Sequence, residues 1–162
     1  MQQAQTADYA EHRERVRPEW ADQDGFLAPA YAVVIFDRAI DLLYDGIGLG
    51  LTYIRATGCS TFTLETHMLQ EQPVPVGAGV LVRNRILAVD AKRMHIAQEM
   101  FRLGQARRAA LMEQLSIHVD LAIRRSAPFP PERLAEIRAA MRTLSDGPEP
   151  VGTGRPVSLD AP

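Results

Sequence analysis

The sequence predicts an α+β fold in which a curled antiparallel sheet of about five strands wraps a long central helix, with a further helix at the C-terminus. The segment from Ala30 to Leu43 is apolar almost all the way round, interrupted only by Asp37, Arg38 and Asp41, whereas a surface helix shows one apolar stripe. Residues 61–123 instead alternate between polar and apolar side chains and are broken by short turns, as antiparallel strands are. A helix that is apolar on most sides needs a cover, and the sheet supplies one.

Length and composition favour one globular domain in a reducing compartment. The chain has 162 residues, of which 46% are hydrophobic and 23% charged, and a net charge of −2. This charge balance gives no reason to expect a nucleic-acid or membrane partner. Cys59 is the one cysteine, no signal-like segment opens the chain, and the longest apolar run, from Ala30 to Phe36, is far shorter than the ~20 residues of a membrane span. We therefore expect a cytoplasmic protein.

The elements before the sheet centre on the long helix. His12 to Trp20 alternates loosely and predicts a first strand, which Pro18 places at an edge or an end. An acidic turn, residues 22–25, precedes the helix, and Asp45, Gly46 and Gly48 stop it. Residues 52–60 are predicted to be a connecting loop.

Four strands follow, and their short connections predict antiparallel neighbours. Alternation along the first of them places Glu65 on the same face as Thr63 and His67, opposite Phe62 and Leu64. The predicted strands are residues 61–71, 80–89, 93–103 and 107–123.

Pro130 and Pro131 open a last helix that is predicted to reach Leu144. The domain is therefore predicted to span residues 12–144, and residues 1–11 and 145–162 are expected to be flexible tails. An open sheet edge favours pairing with a second copy, so a homodimer is expected, and a tetramer of such dimers is compatible with the pattern.

A long helix lying across a curled antiparallel sheet is the hot-dog arrangement, and short motifs along the chain carry a resemblance to one family with that fold. The chain resembles the hot-dog acyl-CoA thioesterases of the 4-hydroxybenzoyl-CoA thioesterase type, and within them it is most similar to the betainyl-CoA thioesterases. The similarity covers residues 14–142. Its marks are Tyr31 and the motifs PEWADQDG (18–25), FTLETH (62–67), DAKRMHIAQEM (90–100), EQLSIHVD (113–120) and APFPPE (127–132).

The resemblance implies hydrolysis of an acyl-CoA to a free acid and CoA. Asp22 matches the acidic position that these enzymes use as general base or nucleophile, and Glu65 matches a position that assists. Backbone N–H groups at the start of the central helix, around residues 26–30, would stabilise the oxyanion. The family implies no cofactor and no metal, because CoA is part of the substrate. From the residues alone, Asp22 could equally cap its own turn.

Further residues are expected to bind the substrate. An arginine or lysine beside a hairpin suits the phosphates of CoA, although such charges are often merely solvated. Phe26 and Leu27 predict a more apolar pocket mouth than a trimethylammonium acyl group would suggest. The expected substrate-binding residues are Asp24, Gly25, Phe26, Leu27, Ala28, Tyr31, Lys92 and Arg93.

The acidic turn departs from the family pattern, which usually reads Asp-Tyr-Asn-Gly-His-Met-Asn. Phe26 stands at the usual His and Ala28 at the last Asn. Two alternatives to a thioesterase therefore stay open. One is a hot-dog protein that binds an acyl-thioester or another hydrophobic ligand without turnover. The other is an enoyl-CoA hydratase, which ranks last because it needs an Asp/His pair at this turn.

Overall fold

The computed structural model describes residues 9–144, 147–155 and 157. Within them, a sheet of five main strands and one short strand packs against helices on one face. The strands are β1 (Glu11–Arg15), β2 (Cys59–Gln70), β3 (Gly79–Val89), β4 (Arg93–Arg102), β5 (Arg108–Asp120) and β6 (Arg125–Ser126); the helices are α1 (Pro29–Gly46), α2 (Leu51–Thr57) and α3 (Pro131–Leu144). The predicted hot-dog architecture is confirmed.

The central helix α1 begins with a proline at its first position, where the missing N–H breaks no helical hydrogen bond. Its core-facing residues are buried: Ala32, Ile35, Phe36, Ala39, Ile40 and Leu43. Its other side is not covered, because Val33, Val34 and Leu42 remain 37–40% exposed. The sequence of α1 is apolar on most sides, but within one chain the sheet covers only one side of this helix.

The sheet has the strand order β1-β3-β4-β5-β2, and every pairing is antiparallel. Strands β3, β4 and β5 are neighbours, as their short connections predict. The same expectation is wrong for β2 and β3, because the link of residues 71–78 crosses the sheet and β2 pairs with β5 instead. This places β2, with 12 residues, at an open edge of the sheet in the described part of the chain.

Two local predictions before the sheet are wrong. Residues 52–60 do not form a loop, because Leu51–Thr57 is a helix that Gly50 opens and Gly58, at φ 68°, closes in the left-handed conformation. The first strand ends at Arg15, and Pro18–Trp20 forms a 3₁₀ turn rather than more strand. In both cases a glycine or proline sets the boundary.

A β-bulge in β2 changes which residues share a face. The register of β2 against β5 shifts between Thr63 and Glu65, so Leu64 is the extra residue. Thr63 faces the helical side, where its Oγ1 accepts a hydrogen bond from Gln114 Nε2 at 2.8 Å, whereas Glu65 lies opposite Leu115 on the outer face. The prediction that Thr63 and Glu65 share a face is therefore wrong.

Two buried amides fasten α1 to the sheet. Gln98 Nε2 donates to the Phe36 carbonyl and to Asn84 Oδ1, both at 2.9 Å. Asn84 Nδ2 donates to the Ala39 carbonyl at 2.8 Å and to the Tyr9 carbonyl at 3.0 Å. Because the two amides face each other across β3 and β4, they fix how far α1 slides along the strands.

The chain ends on the outer face of the sheet. After α3, residues 147–155 cross this face, and we call them the C-terminal strap. Arg85 donates to the Pro148 carbonyl and Arg108 to the Val151 carbonyl, both at 2.6 Å. The rest of the predicted tails, residues 1–8, 145–146, 156 and 158–162, lies outside the described residues. Among the described residues, no helix is both long and apolar enough to cross a bilayer.

Candidate active site

The acidic turn before α1 is organised by Asp22. Its Oδ1 accepts the N–H groups of Asp24 and Phe26, each at 2.9 Å. Gly25 has φ 84°, which a residue with a Cβ adopts only with strain. No hydrogen bond to Asp22 Oδ2 is found in the part of the chain that the structure describes, so only one of the two carboxylate oxygens is engaged in the turn.

The backbone N–H groups around the start of α1 are nearly all used. Leu27 N–H donates to the Val74 carbonyl at 2.8 Å, and Ala28 N–H donates to the Trp20 carbonyl at 3.0 Å. Pro29 has no N–H, and Phe26 N–H is bound to Asp22. Ala30 N–H is the one in residues 26–30 that has no acceptor among the described residues. Of the N–H groups predicted to stabilise an oxyanion, only that of Ala30 is therefore without an acceptor among the described residues.

Asp22 lines a cavity of about 320 Å³, which we call the Asp22 cavity. It lies between the start of α1 and the inner face of the sheet at the β2 and β5 ends that meet there. No lysine or arginine lines it. Its lining residues are Asp22, Phe26, Leu27, Pro29, Ala32, Gln70, Glu71, Gln72, Pro73, Val74, Met100, Ala109 and Ala110.

Two of the predicted pocket residues differ in their surroundings. Phe26 is 36% exposed at the cavity rim, whereas Leu27 is buried in the core. Tyr31 stacks on Trp20 with ring centroids 6.0 Å apart, and the guanidinium groups of Arg17 and Arg38 lie 4.8 and 5.3 Å from the Trp20 ring centroid. Among the described residues, Phe26 is the aromatic residue that lines the Asp22 cavity.

The other candidate residues lie apart from this cavity within one chain. Asp24 is exposed on the turn. Glu65 lies on the outer face of the sheet, with its Oε1 3.1 Å from His67 Nε2. The catalytic assistance predicted for Glu65 stays a prediction, as do the binding roles of Asp24, Gly25 and Ala28.

Lys92 and Arg93 lie at the far end of the strands. Ala110 of β5 lines the Asp22 cavity. Farther along the same strand, His118 donates its N–H to the Lys92 carbonyl at 2.7 Å. An extended strand covers roughly 27 Å between these two positions, so Lys92 lies far from the cavity. Arg93 is bound to Asp90 Oδ2 at 2.6 Å. The N–H of Lys92 and the Arg93 side chain lower the pKa of Asp90 to about 2. Lys92 Nζ, 3.5 Å from Ser126 Oγ, is the freer of the two cations.

The structure adds two groups that sequence reasoning did not assign to the site. Gln70 and Glu71 line the Asp22 cavity, because β2 ends close to the acidic turn. Their position there depends on the pairing of β2 with β5, which no local sequence pattern reveals. Lys92 Nζ lies 3.5 Å from Ser126 Oγ in β6, which brings the neighbouring Arg124 and Arg125 to the same end of the sheet. The paired arginines were visible in the sequence, but their position next to Lys92 was not.

Comparison with known proteins decides the family. The model of the thioesterase-like superfamily matches residues 16–137. The chain belongs to this superfamily. A betainyl-CoA thioesterase of Pseudomonas aeruginosa is 40% identical over 144 residues, which cover 89% of this chain and 91% of the relative.

Solved structures agree with this assignment. A candidate thioesterase of Pseudomonas putida KT2440 is 32% identical with a TM-score of 0.80, over 93% of this chain and 96% of that one. A Staphylococcus aureus protein solved in complex with CoA shares the fold, with 21% identity and a TM-score of 0.87 over 93% and 94% of the two chains. This member of the thioesterase-like superfamily is a hydrolase of acyl-CoA thioesters, as the motifs predict.

Proposed function

We propose that the enzyme hydrolyses a short acyl-CoA whose acyl group carries a quaternary ammonium, with betainyl-CoA as the first substrate to test. The observation that carries this proposal is that Asp22 lines a cavity at the start of α1, the helix end at which Ala30 N–H has no acceptor among the described residues. Asp22 would take the proton of a water that attacks the thioester carbonyl, while Ala30 N–H stabilises the oxyanion. Collapse of the tetrahedral intermediate expels the CoA thiolate, which takes that proton back. Direct attack by the carboxylate, through an anhydride that water then opens, uses the same geometry.

The lining of the Asp22 cavity supports a cationic acyl group. It contains two carboxylates, those of Asp22 and Glu71, and the exposed ring of Phe26, but no lysine or arginine. Glu71 forms an ion pair with Arg108, whose guanidinium lies 2.6 Å from Glu71 Oε1. Asp22 is therefore the lining carboxylate whose negative charge is not paired with a cation among the described residues. Carboxylates and aromatic rings attract a quaternary ammonium, so Phe26 beside the Asp22 carboxylate suits a trimethylammonium group, contrary to the expectation from the apolar residues alone. The name of the Pseudomonas aeruginosa relative agrees with this choice.

We further propose that the enzyme is a homodimer paired through β2. This edge strand has 12 residues, and its Phe62 and Leu64 are 52% and 56% exposed. A long apolar edge strand is a template for pairing with another strand. The half-covered α1, with Val33 and Val34 exposed, adds an apolar surface for the same second copy to cover.

Antiparallel pairing of two β2 strands would also complete the CoA site. It sets the Gln70 end of one copy, where the Asp22 cavity lies, beside the Cys59 end of the other. The Cys59 end pairs with Asp120 on β5, close to the cations of Lys92, Arg124 and Arg125. One CoA could then place its thioester at Asp22 and its phosphates on the second copy, which a single chain, with these groups roughly 27 Å apart, does not arrange.

The proposed reaction consumes only water and acyl-CoA, so it needs no metal or redox cofactor. CoA thioesters are made and used inside cells, which is consistent with a cytoplasmic location. One cysteine, Cys59, also suits a reducing compartment.

The test is free-thiol release from a panel of acyl-CoAs: betainyl-CoA, its uncharged isostere 3,3-dimethylbutyryl-CoA, a straight short chain and an aromatic acyl group. We expect betainyl-CoA to have the highest kcat/KM, at least tenfold above the isostere, and Asp22→Asn to lower its kcat by ~10²–10⁴. Equal rates for the charged and the uncharged member would overturn the acyl-group proposal. Full activity of Asp22→Asn would overturn the assignment of Asp22.

The same panel tests the alternative of a protein that binds acyl-CoA without turnover. In such a protein Asp22 would only organise the turn through its Oδ1. Under this candidate, wild type and Asp22→Asn would bind CoA equally in calorimetry, and neither would release thiol from any member of the panel.

A further inference from the structure

A second cavity lies on the outer face of the sheet, under the C-terminal strap. It has a volume of about 600 Å³, within the range of small-molecule sites. The strap closes one side of it, where Gly154 N–H donates to Glu113 Oε2 at 2.7 Å. We call it the outer cavity. Its lining residues are Glu65, His67, Ala88, Val89, Asp90, Arg93, His95, Glu113, Gln114, Leu115, Gly154 and Arg155.

The carboxylates of the outer cavity already have partners. Glu113 Oε1 lies 2.6 Å from His95 Nε2, while its Oε2 accepts the strap N–H. Glu65 is paired with His67 at 3.1 Å. Asp90 accepts the backbone N–H groups of Lys92 and Arg93 and also holds the Arg93 guanidinium.

Arg155 is different. Its half-buried guanidinium lines the cavity, and it forms no hydrogen bond or ion pair with any residue that the structure describes. A guanidinium offers five N–H donors in a planar fork that matches a carboxylate or a phosphate. Arg155 is therefore the lining cation that has no ion-pair partner among the described residues, although three acidic residues also line the cavity.

We propose that the outer cavity is a second binding site, for a small organic anion that has a carboxylate or phosphate head and an apolar body. The head would sit on the Arg155 guanidinium. The body would contact the apolar part of the lining, which includes Val89 and Leu115. Because Arg155 belongs to the strap, the bound anion would add a further tie between the strap and the sheet, beside the hydrogen bond from Gly154 N–H to Glu113.

This site is separate from the Asp22 cavity. The Asp22 cavity contains Met100 and Ala110, which face α1 in the core, whereas the outer cavity contains Glu113 and His95 on the opposite face. A sheet separates the two, and pairing of β2 with a second copy extends the sheet without joining its faces. The proposal therefore does not rest on the assignment of Asp22.

The experiment uses the full-length protein and three probes with one aromatic ring each: benzoate, phenyl phosphate and the uncharged benzyl alcohol. Each is titrated while the amide resonances of Gly154 and Arg155 are followed by NMR. We expect saturable shifts with benzoate or phenyl phosphate. The probe that binds more tightly shows whether the site prefers a carboxylate or a phosphate head. Benzyl alcohol should bind at least tenfold more weakly. Arg155→Gln should weaken the anions about tenfold and leave benzyl alcohol unchanged.

Two controls make the result decisive. Arg102→Gln removes an exposed arginine outside both cavities and should leave every affinity at the wild-type value. Asp22→Asn should also leave the anion affinities unchanged. Equal binding of charged and uncharged probes, no effect of Arg155→Gln, or no shift at the strap would each overturn the proposal. Displacement of the bound anion by CoA would do so too, since the outer cavity would then belong to the thioesterase site.

Discussion

Asp22 and Phe26 are joined by two reciprocal hydrogen bonds across the acidic turn. Asp22 Oδ1 accepts the Phe26 N–H at 2.9 Å, and the Phe26 carbonyl accepts the Asp22 N–H at 2.7 Å. The pair closes the turn on itself and holds the carboxylate in one orientation. The structural and the catalytic interpretations of Asp22 are therefore compatible, because each uses a different oxygen of the same side chain.

Substitutions at Asp22 should separate the two roles. Asp22→Asn retains an acceptor oxygen for the turn, so the free energy of unfolding should change little while kcat falls by ~10²–10⁴. Asp22→Ala should lose the same activity and also ~1 kcal/mol of stability, because two N–H groups lose their acceptor. Thiol release and urea unfolding measure the two effects. Asp24→Asn, on the same exposed turn, is the matched control, and a larger loss of activity there would transfer the role to Asp24.

The oxyanion donor can be removed by Ala30→Pro. Proline is tolerated in the first turn of a helix, where its missing N–H breaks no helical bond, and Ala30 N–H has no acceptor to lose. We expect kcat to fall by ~10²–10³ with little change in KM, since the donor acts on the transition state. Ala30→Gly keeps the N–H and serves as the control. Wild-type kcat in a folded Ala30→Pro enzyme would exclude this amide from the reaction.

The sequence was sufficient for the fold class and for the position of the acidic turn, because both follow from local patterns. The apolar circumference of α1 and the Asp-Gly turn before it are visible residue by residue. Glu65 shows the limit. A one-residue bulge beside it reverses the face of every later residue of β2 relative to Thr63, and no residue in FTLETH marks the insertion.

The outer cavity shows the same limit at longer range. Its lining combines β2, β3, β4 and β5 with the strap, and Arg155 lies in a segment whose composition predicts disorder. The composition of that segment is polar and rich in proline and glycine, but it is held on the sheet by hydrogen bonds that Arg85 and Arg108 donate to it and by one that Gly154 N–H donates to Glu113. Such contacts between distant residues leave no local signature.

Charges placed on the β2 edge should dissociate the dimer. Lysine on an edge strand opposes strand pairing, so Phe62→Lys and Leu64→Lys should shift the mass in light scattering from dimer to monomer. Activity should fall with dimer content, because the proposed CoA site needs both copies. Leu51→Lys is the matched control, since Leu51 is 57% exposed on α2, away from the edge. A fully active Leu64→Lys monomer would rule out a shared site.

The buried amides should be coupled in stability. Asn84→Leu removes the acceptor of Gln98 Nε2 and the donor to the Ala39 carbonyl, and we expect a loss of ~1–3 kcal/mol in urea unfolding. Gln98→Leu should cost a similar amount. The double variant should cost less than the sum of the two, because neither amide is then left buried without its partner. Gln105→Leu, the same type of change in an exposed hairpin, should be nearly neutral. Additive losses would mean that the two amides act independently.

Asp90 should contribute to stability in a defined pH window. Its pKa is lowered to about 2 by the Lys92 N–H and then by the Arg93 side chain, whereas its value in the unfolded chain is close to the ordinary ~3.9. A lowered pKa stabilises the folded state above the unfolded value, and this contribution is lost as the pH falls from ~4 to ~2. Because the side chain is nearly half exposed, the contribution at pH 7 should stay below ~1 kcal/mol.

Asp90→Asn tests this window. Asparagine still accepts the two N–H groups but carries no charge, so the variant should be less stable than wild type at pH 7. About half of that difference should remain at pH 3. The free energy of unfolding in urea at pH 7, 5, 4 and 3 measures the trend, and Glu19→Gln, at an exposed acid without an ion pair among the described residues, should show no such trend. A difference that is constant with pH would mean that Asp90 acts only as a turn acceptor and that its charge contributes nothing.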